Sequence, residues 1–120
     1  MRTNVLGSDL QCCCREPMTG FYRDGYCRTG PGDYGIHTVC AVMTDEFLKF
    51  SRDQGNDLTT PEPAHGFPGL EPGERWCLCV NRWKEALDAD VAPPVILKSC
   101  HTSALEFVDL KDLQDHQAEE

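Results

Sequence analysis

Cys77 and Cys79 sit one residue apart in the run RWCLCV at 75–80, which has the apolar character of a buried strand. On a strand, residues i and i+2 share a face, so both thiols point one way while Trp76, Leu78 and Val80 point the other. Two thiols on one face suit a soft metal such as zinc or iron, although zinc knuckles more often place two to four residues between ligands. Cys27 and Cys40 are the thiols that can complete a four-sulfur set with them, giving Cys27, Cys40, Cys77 and Cys79 as the candidate metal ligands. The run Cys12-Cys13-Cys14 cannot turn all three side chains toward one ligand on a regular element, and it reads as partly exposed and open to oxidation. Cys40, between Val39 and Ala41, reads as core.

His37 directly follows a glycine-rich stretch and alternates with Val39 and Ala41 along a predicted strand. Strand alternation puts Cys40 on the opposite face, so His37 and Cys40 make a poor nucleophile–base pair unless the strand is broken. Asp57 follows a predicted helix, and Arg75 and Trp76 open the RWCLCV strand. An arginine there suits a carboxylate clamp or an ion pair with Asp57. His37, Asp57, Arg75 and Trp76 are therefore the candidate ligand-binding residues. Asp33 belongs to the loop before His37; His65 and His101 are further imidazoles able to approach it. Phosphate-binding loops, dinucleotide fingerprints, serine nucleophile elbows and the zinc-protease helix motif are all missing from the sequence.

These residues must be positioned by short elements and long loops. Fifteen of the 18 glycines and prolines fall in two windows, 15–35 and 55–74. Irregular segments longer than ~12–15 residues are usually functional or disordered. Phe21, Tyr22, Tyr26, Tyr34, Phe67 and Leu70 provide anchors, so both windows are expected to be ordered loops framing a pocket. Strands are expected at 36–43, 75–80 and 95–99, with a short one at 105–108. Helices are expected after Thr44, Asn81 and Asp109. The fold class that follows is α+β, a small mixed β-sheet packed with two to three short helices. A single domain is expected over 1–120, with an N-terminal segment at 1–15 and a frayed acidic tail at 114–120.

Asp and Glu number 20 against 11 Lys and Arg, for a net charge of −9. That field and the scattered basic residues argue against nucleic acid and anionic membrane surfaces as partners. No apolar run approaches the ~20 residues of a membrane span, and the N-terminus lacks a signal-peptide pattern. The location expected is the cytoplasm, where thiols stay reduced. The partner is expected to be a small molecule or a protein, and the oligomeric state is open.

Several stretches together carry a family likeness: NVLG at 4–7, PMTGFYRDG at 17–25, HTVCAVMT at 37–44, GNDLTTP at 55–61 and FPGLEPGERWCLC at 67–79. With RW at 82–83 and APPV at 92–95, the chain resembles the bacterial family known as domain of unknown function 2237. The resemblance spans roughly residues 4–113. It implies a stand-alone cytosolic bacterial protein and no particular activity. Cys12–Cys14 and Cys100 depart from the family pattern, which leaves Cys27, Cys40, Cys77 and Cys79 as the thiols to test. Four readings follow: a small-ligand-binding domain, a thiolate metal protein, an enzyme using a thiol or His37, and a protein-interaction module. Long ordered loops usually carry function, which ranks ligand binding first.

Overall fold

The computed structural model describes residues 3–15, 18–65 and 67–118. Pro17 of the first loop, Gly66 of the second, the side chain of His65 and the last two residues of the tail lie outside the described residues. The architecture is α+β: a two-stranded antiparallel sheet, β1 (His37–Val42) and β2 (Arg75–Cys79), with three α-helices. The helices are α1 (Asp45–Asp53), α2 (Val80–Asp88) and α3 (Leu110–Asp115).

Each helix begins near the place its sequence indicates. Thr44 is extended and its hydroxyl accepts the Phe47 N–H at 3.1 Å, which caps α1. Asp45 and Glu46 occupy the first turn, where the helix dipole favours acids. Phe47, Leu48 and Ser51 form the buried face of α1. Helix α2 follows β2 without a loop and starts at Val80, one residue ahead of Asn81, with Cys79 at the cap position. It buries Val80, Trp83 and Ala86, and the Trp83 indole N–H donates to the Pro93 carbonyl at 3.1 Å.

The expected third strand is reduced to one residue. Val95 bridges Ala41 antiparallel on one side and Gln117 in parallel on the other. Pro93 and Pro94 have no N–H to extend that ladder, and the chain turns into a 3-10 helix at Leu97–Ser99. A further 3-10 helix, Thr102–Glu106, covers the first half of the fourth expected strand, and a turn covers the rest. The tail through residue 118 is docked rather than frayed, because the Ala118 N–H donates to the Val95 carbonyl at 2.8 Å.

The N-terminal segment is stitched to residues 98–102. Val5 N–H donates to Cys100 O at 3.0 Å, Gln11 N–H to Lys98 O at 3.0 Å, and Thr102 N–H to Thr3 O at 2.9 Å. Asn4 is fully buried at the centre of this seam. The core beside it contains Val39, Met43, Phe47, Leu78, Val80, Trp83, Val95 and Leu113. No helix among the described residues is long and apolar enough to cross a membrane.

Candidate functional site

The two strands align His37 with Cys79, Cys40 with Cys77, Ala41 with Trp76 and Val42 with Arg75, with a register shift between His37 and Val39. The shift inserts Thr38 as an extra residue, which breaks the simple alternation the sequence suggested. His37 thereby lines the same cleft as Cys77.

His37 is held by a turn with an unusual backbone. Ile36 has φ of +51°, a left-handed conformation that a β-branched residue adopts at a cost of about 1–3 kcal/mol. The turn folds Asp33 back onto His37. One carboxylate oxygen of Asp33 lies 2.6 Å from His37 Nδ1. The other accepts the His37 backbone N–H at 3.0 Å and the Thr29 hydroxyl at 2.9 Å. Burial by itself would raise the Asp33 carboxyl, but the bonds from the His37 backbone, the His37 ring and Thr29 more than offset it and hold it below its ordinary value. The Asp33 side chain is 0% exposed and that of His37 is 37% exposed. With Nδ1–H donating to the carboxylate, Nε2 is the ring nitrogen left for an incoming group, and in a neutral ring it is an acceptor. Gly35 packs on the ring edge: a Cβ there would lie 2.7 Å from His37 Cε1.

The cleft beside His37 has a volume of about 730 Å³. The first loop contributes Phe21 and Arg23, and the second contributes Asn56, Asp57, Leu58, Glu62 and Phe67. Trp76 and Cys77 come from β2. The Arg23 guanidinium stacks over Trp76 at 5.2 Å, and Phe67 meets Trp76 edge-on at 5.2 Å. Phe21 is stacked with His37 at 6.5 Å.

Three of the four ligand-binding candidates from the sequence, His37, Asp57 and Trp76, line this cleft. Arg75 does not: it is exposed at the end of the ladder away from His37, opposite Val42. Arg23 is the cation that reaches Trp76. Asp57 is occupied in its own turn, accepting the Thr60 hydroxyl at 2.6 Å and the Thr59 N–H and hydroxyl at 2.9 and 2.8 Å. Those bonds, the Thr60 hydroxyl foremost, keep its carboxyl far below the usual range. His101 is also engaged locally, its Nδ1 accepting the Ser103 N–H at 3.0 Å.

Four of the eight cysteines are bonded in pairs, where a reducing cytoplasm leads one to expect most of them reduced. Cys13 is joined to Cys40, and Cys27 to Cys77. Of the proposed ligand set, Cys27 and Cys77 are bonded to each other and Cys40 faces Cys77 across the ladder, while Cys79 is a free thiol opposite His37. Cys13 joins them: the sulfurs of Cys13, Cys27 and Cys77 lie within 4.8 Å of one another, a spacing that suits a metal ion only when the disulfides are open. Cys13 is buried, whereas the sequence suggested exposure for part of its run. Its neighbours Cys12 and Cys14 are half-buried, as is Cys79. Cys100 is buried and pushed up to about 12 by that burial. A smaller cleft of about 310 Å³ also borders His37, lined by Cys79, Arg82, Asn56 and Gly35 among others.

Two residues are visible in the sequence without their role being so. Asp33 carries a spacing signal, four residues ahead of His37, but only the left-handed Ile36 makes that spacing a contact. Cys13 carries none, because its two cysteine neighbours hide which of the three turns inward. No curated protein matches the chain. A family model described as an uncharacterized protein conserved in bacteria (DUF2237) matches residues 3–117. The match covers nearly all of the segments just described, and the chain belongs to this family.

Proposed function

We propose that the chain is a small-ligand-binding domain whose ligand is a planar aromatic acid held in the cleft between the two loops. The observation that supports this most is the Asp33–His37 pair, seated on a strained turn and facing a cleft walled by aromatic rings. Strain of this kind persists where surrounding structure enforces it, and it clusters at working sites. Phe21, Phe67 and Trp76 suit a flat apolar ring. Arg23 supplies a cation for a carboxylate, and His37 in its protonated form, paired with Asp33 through Nδ1, donates a hydrogen bond to the same carboxylate from Nε2.

Trp76 lines the cleft while Trp83 is buried in the core, so indole fluorescence reports the site. Titration with benzoate and indole-3-carboxylate is expected to give saturable quenching that W76F abolishes. H37A and D33N are each expected to weaken binding roughly tenfold or more, the worth of a hydrogen bond to a charged group. A response from neither probe, or one indifferent to H37A, removes this reading.

A second reading rests on a different observation. Cys79 is a free thiol, the ladder partner of His37, and stands at the cap of α2, where the helix favours negative charge. Thiol, imidazole and carboxylate are the parts of a nucleophilic site. Alkylation of the native oxidised protein is expected to label Cys12, Cys14 and Cys79 but to spare Cys100 until unfolding. Under this second reading Cys79 reacts fastest and slows in H37A; equal rates for the three thiols in both proteins would end it.

A further inference from the structure

Three of the four disulfide-bonded sulfurs converge more closely than two independent staples require. The register puts Cys40 directly opposite Cys77, so the sheet itself places two thiols side by side. The N-terminal segment delivers Cys13 and the first loop delivers Cys27. All four residues are at most 3% exposed. The three sulfurs of Cys13, Cys27 and Cys77 lie within 4.8 Å of one another, and the fourth is bonded to Cys13. In a tetrahedral thiolate centre with metal–sulfur bonds of about 2.3 Å, ligand sulfurs stand about 3.8 Å apart. Opening the two disulfides frees Cys13, Cys27 and Cys77 to take that spacing, and Cys40, bonded to Cys13 and opposite Cys77 in the ladder, is the fourth sulfur, which must swing in to join them.

We propose that Cys13, Cys27, Cys40 and Cys77 form a redox-gated site that holds one soft divalent metal ion, zinc in preference to harder ions, when both disulfides are reduced. The chemistry balances with a dithiol as reductant. Each disulfide accepts two electrons and two protons from one dithiol, which itself becomes a disulfide. The four resulting thiols lose four protons on binding the divalent ion, leaving a tetrathiolate complex of charge −2. An oxidising disulfide reverses the sequence: it takes two electrons per protein disulfide formed, is itself reduced to thiols, and the ion is released. Bound metal and disulfides exclude each other because both use the same sulfurs. Cys77 lines the large cleft, which gives the reductant and the ion a common route inward. All-sulfur coordination selects zinc and its analogues over magnesium or calcium, which prefer oxygen. The proposal is independent of the cleft's ligand.

The test is cobalt titration of the full chain, reduced with a phosphine without oxygen and transferred to metal-free buffer. One cobalt per chain is expected, with the absorption of a tetrahedral tetrathiolate, displaced by zinc and absent from the oxidised protein. C13S and C27S are expected to lose more than the ~10–100-fold that removal of a mere supporting partner costs. C14S and C79S retain uptake. Where the serine variants do not fold, alkylation of the metal-loaded wild type decides. Protection of Cys13, Cys27, Cys40 and Cys77, with Cys12, Cys14 and Cys79 labelled, supports the site. No stoichiometric uptake, equal uptake by the oxidised protein, or protection that includes Cys79 and omits Cys13 overturns it. A reduced chain that folds only on adding zinc supports it, and one that stays unfolded with zinc overturns it.

Discussion

Reducing both disulfides in metal-free buffer is expected to lower the unfolding free energy by roughly 5–7 kcal/mol. The two links join residues 27 and 50 positions apart. By loop-closure entropy, separations of this size are worth about 3.5 and 4 kcal/mol individually. The loops interlock, since Cys27 lies inside the span 13–40 and Cys40 inside the span 27–77. With one link closed, the other closes a shorter effective loop, so the joint effect falls below the sum. A domain of this size is stable by about 5–15 kcal/mol, so the reduced apo chain is left near the edge of folding. Urea unfolding with and without a phosphine measures the difference, and a change under about 1 kcal/mol would show that native packing alone carries the stability. Metal at a thousand times its dissociation constant is expected to restore about 4 kcal/mol to the reduced chain. If the proposed metal site forms, the same four sulfurs supply stability in either state, through covalent links when oxidised and coordination when reduced.

The split between what was legible in the sequence and what was not follows the range of the interactions. Helix α1 was readable because everything that starts it is local: Thr44 as cap, Asp45 and Glu46 in the first turn, Phe47 and Leu48 on one face. Strands β1 and β2 were readable from their apolar content. Their pairing register was not, and the register decides the chemistry, because it sets Cys40 beside Cys77 and His37 beside Cys79. The third strand shrinks to a single bridge: Val95 and Ile96 have strand character, yet Pro93 and Pro94 withhold the donors a ladder needs. The two loops were legible as frames because glycine and proline concentrate there. The Asp33–His37 contact was hidden by Ile36, since a β-branched residue gives no sequence signal for a left-handed turn. Adjacency to Trp76 in sequence points to Arg75, whereas the stacking cation, Arg23, arrives from a loop some fifty residues earlier.

Replacing Asn4 by leucine is expected to cost about 2–4 kcal/mol, more than most single substitutions. Asn4 is 0% exposed, and its amide is saturated. Nδ2 donates to the Ser8 hydroxyl at 3.0 Å and to the carbonyls of Asp9 and Lys98, both at 3.1 Å. Oδ1 accepts the backbone N–H groups of Leu6 at 2.9 Å and Ser8 at 3.1 Å. Leucine keeps the volume but leaves these groups without their partner. Several belong to exposed residues that water can reach, so the loss stays below the sum of the separate bonds. Alanine adds a cavity and is expected to cost more than leucine. Aspartate keeps the acceptors but loses the donors and buries a charge, so it offers no rescue. The consequence extends to the sulfur cluster. The Asn4 bond to Lys98 spans 94 positions and, with the neighbouring backbone bonds, seats the segment that carries Cys13. Unseating that segment lowers the local concentration of the Cys13 thiol at Cys40, so N4L is also expected to re-form the Cys13–Cys40 link more slowly after reduction. Urea unfolding of oxidised N4L and mass mapping of its disulfides during reoxidation measure the two effects. A loss under 1 kcal/mol with normal reoxidation would mean that the backbone seam holds the segment without Asn4.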